Sequence, residues 1–239
     1  MRVLMIVSND VIHDSRVVKE ARALRDAGHE IRFIGWDRTG DRPERLEWDG
    51  FAIRYVRTRG AMRAAGHDIL RNPLWWRRAL RFAQQEAAEV VHCHDLDTLR
   101  IGVRWKRSTG GRLVYDAHEI FGYMIEQDVP RLVMDYAFRM ERELAPSADR
   151  VIAVNEAVKR YVDGIAARPA TLVRNTSEHI LDTYRPPPGG PFTVLYVGTL
   201  HPSRFLLPAI EVIGEMPDAR LVLGGGKALA SEVADACKR

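Results

Sequence analysis

Residues 1–36 read MRVLMIVSNDVIHDSRVVKEARALRDAGHEIRFIGW, and this stretch decides the fold class. Arg2 to Val7 is a nearly unbroken apolar run, the pattern of a strand covered on both faces. Asp14 then stands where a helix N-cap is wanted, ahead of Val17, Val18, Ala21 and Leu24, which share one face at helical spacing. Gly28 is placed to stop that helix, and Glu30 to Trp36 forms a second apolar strand. Strand, helix and strand joined by short connections predict an α/β domain with a Rossmann-like parallel sheet flanked by helices.

The same rhythm continues outward. Trp48-Asp49-Gly50-Phe51 carries an Asp-Gly hairpin-type turn into a strand from Phe51 to Val56, followed by an arginine-rich loop and a helix from about Pro73 to Ala88. Further strands are expected at Val90–Cys93, Arg112–Asp116, Val151–Val154 and Ala170–Val173. They alternate with helices at Leu96–Lys106, Asp128–Ala145 and Glu156–Ala166, and Thr109-Gly110-Gly111 makes a turn. That gives seven strands, enough for a complete domain over residues 1–183. Tyr184-Arg185-Pro186-Pro187-Pro188-Gly189-Gly190-Pro191 reads as a linker, because consecutive prolines favour extended geometry. From 192 to 239 the pattern restarts: a strand Phe192–Val197, a helix from about Ser203 to Gly214, a strand Arg220–Leu223, Gly224-Gly225-Gly226 and a last helix. Two strands cannot sustain a two-sided sheet, so this part is expected to be the incomplete beginning of a second Rossmann-like domain.

Composition excludes several classes. Only Cys93 and Cys237 occur among 239 residues, too few for a disulfide framework or a cysteine metal site. The first apolar run is too short for a signal peptide or a spanning helix, and the expected location is cytoplasmic. No Gly-x-Gly-x-x-Gly follows the first strand, which argues against a dinucleotide site even though Asp37 ends the second strand where a ribose-binding acid would sit.

In an open parallel sheet, ligands bind beyond the carboxyl ends of the strands. Three loops there carry chemistry: Ser8 to Arg16, His92-Cys93-His94-Asp95, and Tyr115-Asp116-Ala117-His118-Glu119. His92 and His94 point to one face of their strand, but no third metal ligand is spaced nearby. Asp95 or Asp97 suits the cap of the next helix. His118 falls just past a strand end beside carboxylates, where an imidazole could exchange a hydrogen bond with a sugar hydroxyl.

Four motifs in order, Asp14-Ser15-Arg16-Val17-Val18-Lys19-Glu20-Ala21 with Ala27-Gly28-His29-Glu30, Val91-His92-Cys93-His94-Asp95, Tyr115-Asp116-Ala117-His118-Glu119, and Val151-Ile152-Ala153-Val154-Asn155-Glu156, together resemble the N-terminal domain of family 4 retaining glycosyltransferases of the GT-B architecture. Val194 to Leu200 and Leu221 to Gly226 are similar to the opening of that family's donor domain. The resemblance implies sugar transfer from a nucleotide diphosphate sugar to a glycan, lipid-linked or small-molecule acceptor, with retention of configuration and no obligatory metal. It implies His118 as the catalytic histidine, Asn9, Gly198 and Arg204 on the donor side, and Asp14, Arg16, His94, Asp95, Glu119 and Asn175 around the acceptor or cleft. Thr199 and Phe205 depart from the pattern, which usually has a second basic residue and a glycine there. The family's acidic donor-binding pair would lie beyond residue 239, so the second expectation is a non-catalytic acceptor-binding or partner module.

The net charge of +4 falls wholly within residues 1–190. Between Phe51 and Gln85, Arg54, Arg57, Arg59, Arg63, Arg71, Arg77, Arg78 and Arg81 face a single acid, Asp68, and the helix among them holds Trp75 and Trp76. Either the tryptophans pack inward above a solvated basic face, or they sit at headgroup level in peripheral contact with the inner face of a membrane. No nucleic-acid-binding motif accompanies the patch.

Overall fold

The computed structural model describes residues 1–58, 73–127, 129–176, 183, 189–201, 204–226 and 230–238, and the chain divides into two units, Met1–Ser177 and Glu178–Arg239. Arg59, Arg63, Asp68, Arg71 and the prolines 186–188 lie outside the described residues.

The first unit is built on an eight-stranded sheet of β1 (Arg2–Ile6), β2 (Glu30–Asp37), β3 (Arg45–Trp48), β4 (Phe51–Arg57), β5 (Val90–His94), β6 (Arg112–Ala117), β7 (Arg150–Ala153) and β8 (Thr171–Leu172), in the spatial order β3-β4-β2-β1-β5-β6-β7-β8. All neighbours are parallel except β3 and β4. The expected seven strands are therefore eight. The sequence reading took the Asp-Gly turn without naming the strand that must precede it. Asp49 (φ 53°) and Gly50 (φ 77°) both adopt left-handed backbone, the turn that joins two-residue hairpins, and Trp48 pairs with Phe51.

Helices α1 (Ser15–Asp26), α2 (Pro73–Gln85), α3 (Leu96–Thr109), α4 (Phe121–Met124), α5 (Arg131–Leu144) and α6 (Glu156–Asp163) connect the strands. Asp14 caps α1 by accepting from the Val17 amide at 3.2 Å, and Asn155 caps α6 by accepting from the Ala157 and Val158 amides. Strand alternation sorts the core into two layers. Met5, Val7, Phe33, Ile53 and Tyr55 bury beneath α1, whereas Leu4, Ile6, Trp36, Val91, Cys93, Tyr115 and Val151 bury in the layer that holds α2, α3, α5 and α6.

That second layer corrects the membrane reading of the tryptophans. Trp75 is fully buried and Trp76 nearly so; Trp75 stacks on Trp36 with centroids 5.0 Å apart, and Trp76 Nε1 donates to the Asp97 carbonyl at 2.9 Å. Burying a large apolar side chain stabilises a fold by about 1.5–3 kcal/mol, so the folded core, not a membrane surface, claims both rings. Among the described residues no helix is long and apolar enough to cross a membrane.

The second unit holds a parallel pair, β9 (Phe192–Val197) and β10 (Ala219–Gly224), with α7 (Leu206–Gly214) and α8 (Ala230–Ala236) around a small core of Leu200, Leu206 and Val233. Gly198 donates its amide to the Gly224 carbonyl at 2.9 Å, and a methyl group on Gly225 would collide with the Gly198 carbonyl. Phe205, at the start of α7, has φ 55° and is 73% exposed as a residue. A left-handed conformation costs a non-glycine residue roughly 1–2 kcal/mol, and glycine adds back about 0.5–1 kcal/mol of chain entropy. Phe205→Gly is accordingly expected to stabilise this unit by roughly 0.5–1 kcal/mol. A lowered midpoint in urea denaturation would instead show that the ring packs against something that stabilises it.

Candidate active site

The registers of β5 and β6 assemble the site. His92 aligns with Val114 and His94 with Asp116, and alternation turns His92, His94 and Asp116 toward α1, away from the Cys93 and Tyr115 side of the sheet. From α1, Arg16 and Glu20 sit one helical turn apart and meet them. Asp116 is fully buried. The Arg16 guanidinium donates to both its oxygens at 3.0 and 3.2 Å, lies 3.0 Å from Glu20 Oε1, and donates to the Val173 carbonyl at 3.1 Å. His92 Nε2, His94 Nδ1 and His118 Nε2 stand 3.7, 3.5 and 3.4 Å from Asp116 Oδ2.

The electrostatics follow from this crowding. Burial opposes the Asp116 charge, but the facing His118, His92 and His94 rings outweigh it and hold the carboxyl far below the ordinary range. Burial likewise opposes a charged His118, yet its hydrogen bond with Asp116 and the charges of Asp95 and Asp116 push its pKa up to about 9. His94 moves the other way, down to about 3, through burial and the neighbouring His92, and so stays neutral. Glu20 is pushed up to about 8 by burial and then by the Asp116 charge.

Asp95 supports His118 from the opposite side. Its Oδ1 accepts from the His118 amide at 3.2 Å, and Oδ2 lies 3.3 Å from Nδ1. Burial raises the Asp95 pKa while the His118 charge opposes the rise. Asp95 has φ 62° and ψ 168°, a region nearly confined to glycine, and it forms no side-chain cap on α3. The capping role expected of Asp95 is therefore replaced by a bond to the histidine. Asp97, the other capping candidate, is buried in the first turn of α3, where burial pushes its pKa up to about 6 against the Ser8 hydroxyl and Arg38. Val11 is a second strained residue: it is β-branched and buried at φ 64°, in the loop after β1.

Above the network lies an open cleft of about 480 Å³ lined by Asn9, Asp10, Asp14, Arg16, His118, Glu119 and Asn175, among others. Asn9, Asp14, Arg16, His118, Glu119 and Asn175 thus line one cleft, with His94 and Asp95 beneath it. Asn9 Nδ2 donates to Asp14 at 2.8 Å, and Lys19 holds Asn175 at 3.4 Å. Arg16 is only 7% exposed and its guanidinium is engaged inward, so it supports the wall more than it faces a ligand. Gly198 and Arg204 belong to the second unit, where Arg204 is exposed. Sequence reasoning missed Glu20 and the centrality of Asp116. The signal available was a charged pair, Arg16 and Glu20, on the otherwise apolar face of α1. Glu20, His92, His94 and Asp116 offer ligand atoms within 4.8 Å of one another, a set able to hold a metal ion, but the Arg16 guanidinium already stands between the two carboxylates.

Residues 15–176 match the family model described as Glycosyltransferase Family 4. Among solved structures, sucrose-phosphate synthase from Thermosynechococcus elongatus is 14% identical over 99% of this chain and 65% of its own, with a TM-score of 0.76. HepE from Anabaena, in complex with UDP and glucose, is 13% identical over 100% of this chain and 65% of its own, with a TM-score of 0.61. The glycosyltransferase SsfS6 from Streptomyces sp. SF2575, complexed with thymidine diphosphate, is 17% identical over 95% and 68%, with a TM-score of 0.54. These likenesses show the α/β fold of GT-B N-terminal domains, and the chain spans about two-thirds of the length of each. Among curated proteins, none matches this chain.

Two outcomes test the network. Removing one member of a buried ion pair costs about 3–5 kcal/mol, so Arg16→Met should destabilise the first unit by that amount, and adding Asp116→Asn should recover part of it. A loss below about 1 kcal/mol in urea denaturation would mean that water already screens the pair. His118, with its pKa raised to about 9 in the folded state, stabilises fully below its ordinary value near 6.5 and loses that contribution as pH rises through about 9. An NMR titration of its ring should show a midpoint well above neutrality, and a midpoint at or below 6.5 would contradict the paired imidazolium.

Proposed function

The chain belongs to Glycosyltransferase Family 4, and from that membership we propose that it transfers a sugar from a nucleotide diphosphate sugar to a glycan, lipid-linked or small-molecule acceptor, with retention at the anomeric carbon and no obligatory metal. The observation that carries this reading is the His118 imidazolium, held between Asp95 and Asp116 at the floor of the cleft. Sugar transfer from such a donor develops negative charge on the departing diphosphate and positive character on the anomeric carbon, and a fixed cation favours that transition state where it faces the departing oxygens.

His118 is held loosely enough to take a ligand. Its contacts of 3.3 and 3.4 Å to carboxylates exceed the 2.7–2.9 Å of well-formed charge-assisted bonds, a slack common before substrate tightens a site. A sugar hydroxyl that displaced Asp95 from Nδ1 would accept from the ring, with Asp14, Glu119 and Asn175 positioned around an acceptor. Asn9, Gly198 and Arg204 are assigned to the donor, with the Arg204 fork suited to diphosphate oxygens.

The second reading is a non-catalytic module that binds an acceptor or completes its donor site with another chain. Titrating the protein with nucleotide diphosphate sugars separates the two, since absence of donor binding favours the module. Under the transferase reading, His118→Ala should lower kcat more than donor affinity, because a group beside the reacting centre acts mainly in the transition state. Arg204→Ala should weaken donor binding by about 1.5–3 kcal/mol, the worth of a charge-assisted hydrogen bond. Unchanged turnover in the first variant leaves His118 structural, and unchanged donor affinity in the second removes Arg204 from the site. The anomeric configuration of the product, read by NMR, tests retention.

A further inference from the structure

Away from the cleft, helices α2, α3 and α5 pack side by side as the outer layer of the first unit. Between α3 and α5 runs a groove of about 360 Å³. One wall is the stripe Arg100, Arg104 and Arg107, spaced four and three residues apart on α3; the other includes Tyr136, Arg139 and Glu143 of α5. Glu143 is committed to Arg139 at 2.8 Å, and Arg100 rests over the Trp76 ring at 4.9 Å. Arg104 and Arg107 are exposed and pair with no carboxylate among the described residues. The groove therefore carries a surplus of positive charge with no internal counterpart.

The stripe of α5 that ends at Arg139 begins with two apolar residues, Leu132 at 82% exposure and Tyr136 at 45%. On α2, Leu74 is 48% exposed next to the exposed Arg77 and Arg81. Unpaired guanidinium groups alone would suit any polyanion. Large apolar side chains standing among them suit a surface where charge meets headgroups and apolar tips enter the acyl boundary.

We propose that the outer face of α2, α3 and α5 docks onto an anionic phospholipid surface, with Arg104 and Arg107 on the headgroups and Leu132 and Tyr136 in the interface. The basic face does this without Trp75 and Trp76, which the core retains. The inference is independent of sugar transfer, since binding is read with no substrate present.

Cosedimentation of the whole chain with phosphatidylcholine vesicles, with and without phosphatidylglycerol, is the test. Binding to the anionic vesicles alone, falling as salt rises, is expected. Arg104→Gln/Arg107→Gln touches only exposed, unpaired side chains and should leave the melting temperature unchanged while weakening binding about fivefold for each arginine. Leu132→Ser should weaken binding at low and high salt alike. Equal binding to both vesicle types, none at low salt, or an unchanged double variant would overturn the proposal. Binding to duplex DNA that Leu132→Ser leaves untouched, with no vesicle binding, would reassign the face to a nucleic acid.

Discussion

The Arg16–Asp116 pair is the constraint around which the first unit is organised. A carboxylate with no solvent exposure is tolerable only when its charge is met, and here one guanidinium nitrogen from α1 donates to both its oxygens while three imidazoles gather at Oδ2. Once Asp116 is fixed as an anion, His118 is favoured as a cation, and Glu20 is pressed toward protonation by burial and then by the Asp116 charge. His94 goes against that charge, because burial and the neighbouring His92 hold it neutral. Burial and one negative charge together set the protonation of the cluster.

Strain collects at the same place. Val11 and Asp95 hold left-handed backbone without being glycines, one after β1 and the other after β5, and both loops border the cleft or its floor. Each such residue costs about 1–3 kcal/mol, which the surrounding bonds must outweigh. Val11 is locked by the Asn9 side chain and by the Asp14 amide, while Asp95 is locked by the Asp116 carbonyl and the His118 amide. Misplacing either loop would release strain, so the site is held in a shape that local backbone preference alone does not supply.

Much of the fold was legible because it depends on short-range pattern. The apolar run Arg2–Val7, the Asp14 cap and the Gly28 stop specify the first strand, helix and strand with no reference to distant residues. What was illegible depended on register. Nothing in the spacing of His92 and His94 reveals that Asp116 will stand opposite His94, or that Glu20 will arrive from α1 as a further ligand-type group. The tryptophans show the same limit, since Trp75 and Trp76 next to arginines fit a surface as well as a core until Trp36 is seen to stack on one of them. Phe205 was recognised as a departure from a glycine position, and its left-handed backbone gives that departure a physical meaning.

The three anchors of Arg16 lie far apart along the chain: Glu20 in the next helical turn, Asp116 100 residues later and the Val173 carbonyl 157 residues later. On a ribosome adding about 5–20 residues per second, the guanidinium waits on the order of ten seconds for its last acceptor to be synthesised. Through most of that interval the Arg16 guanidinium on the nascent helix α1 has only Glu20, one turn away, to meet it. The pocket cannot be tested by any ligand until nearly the whole unit has emerged. Completion of the site is in this sense a report that the sheet has closed from β1 to β8.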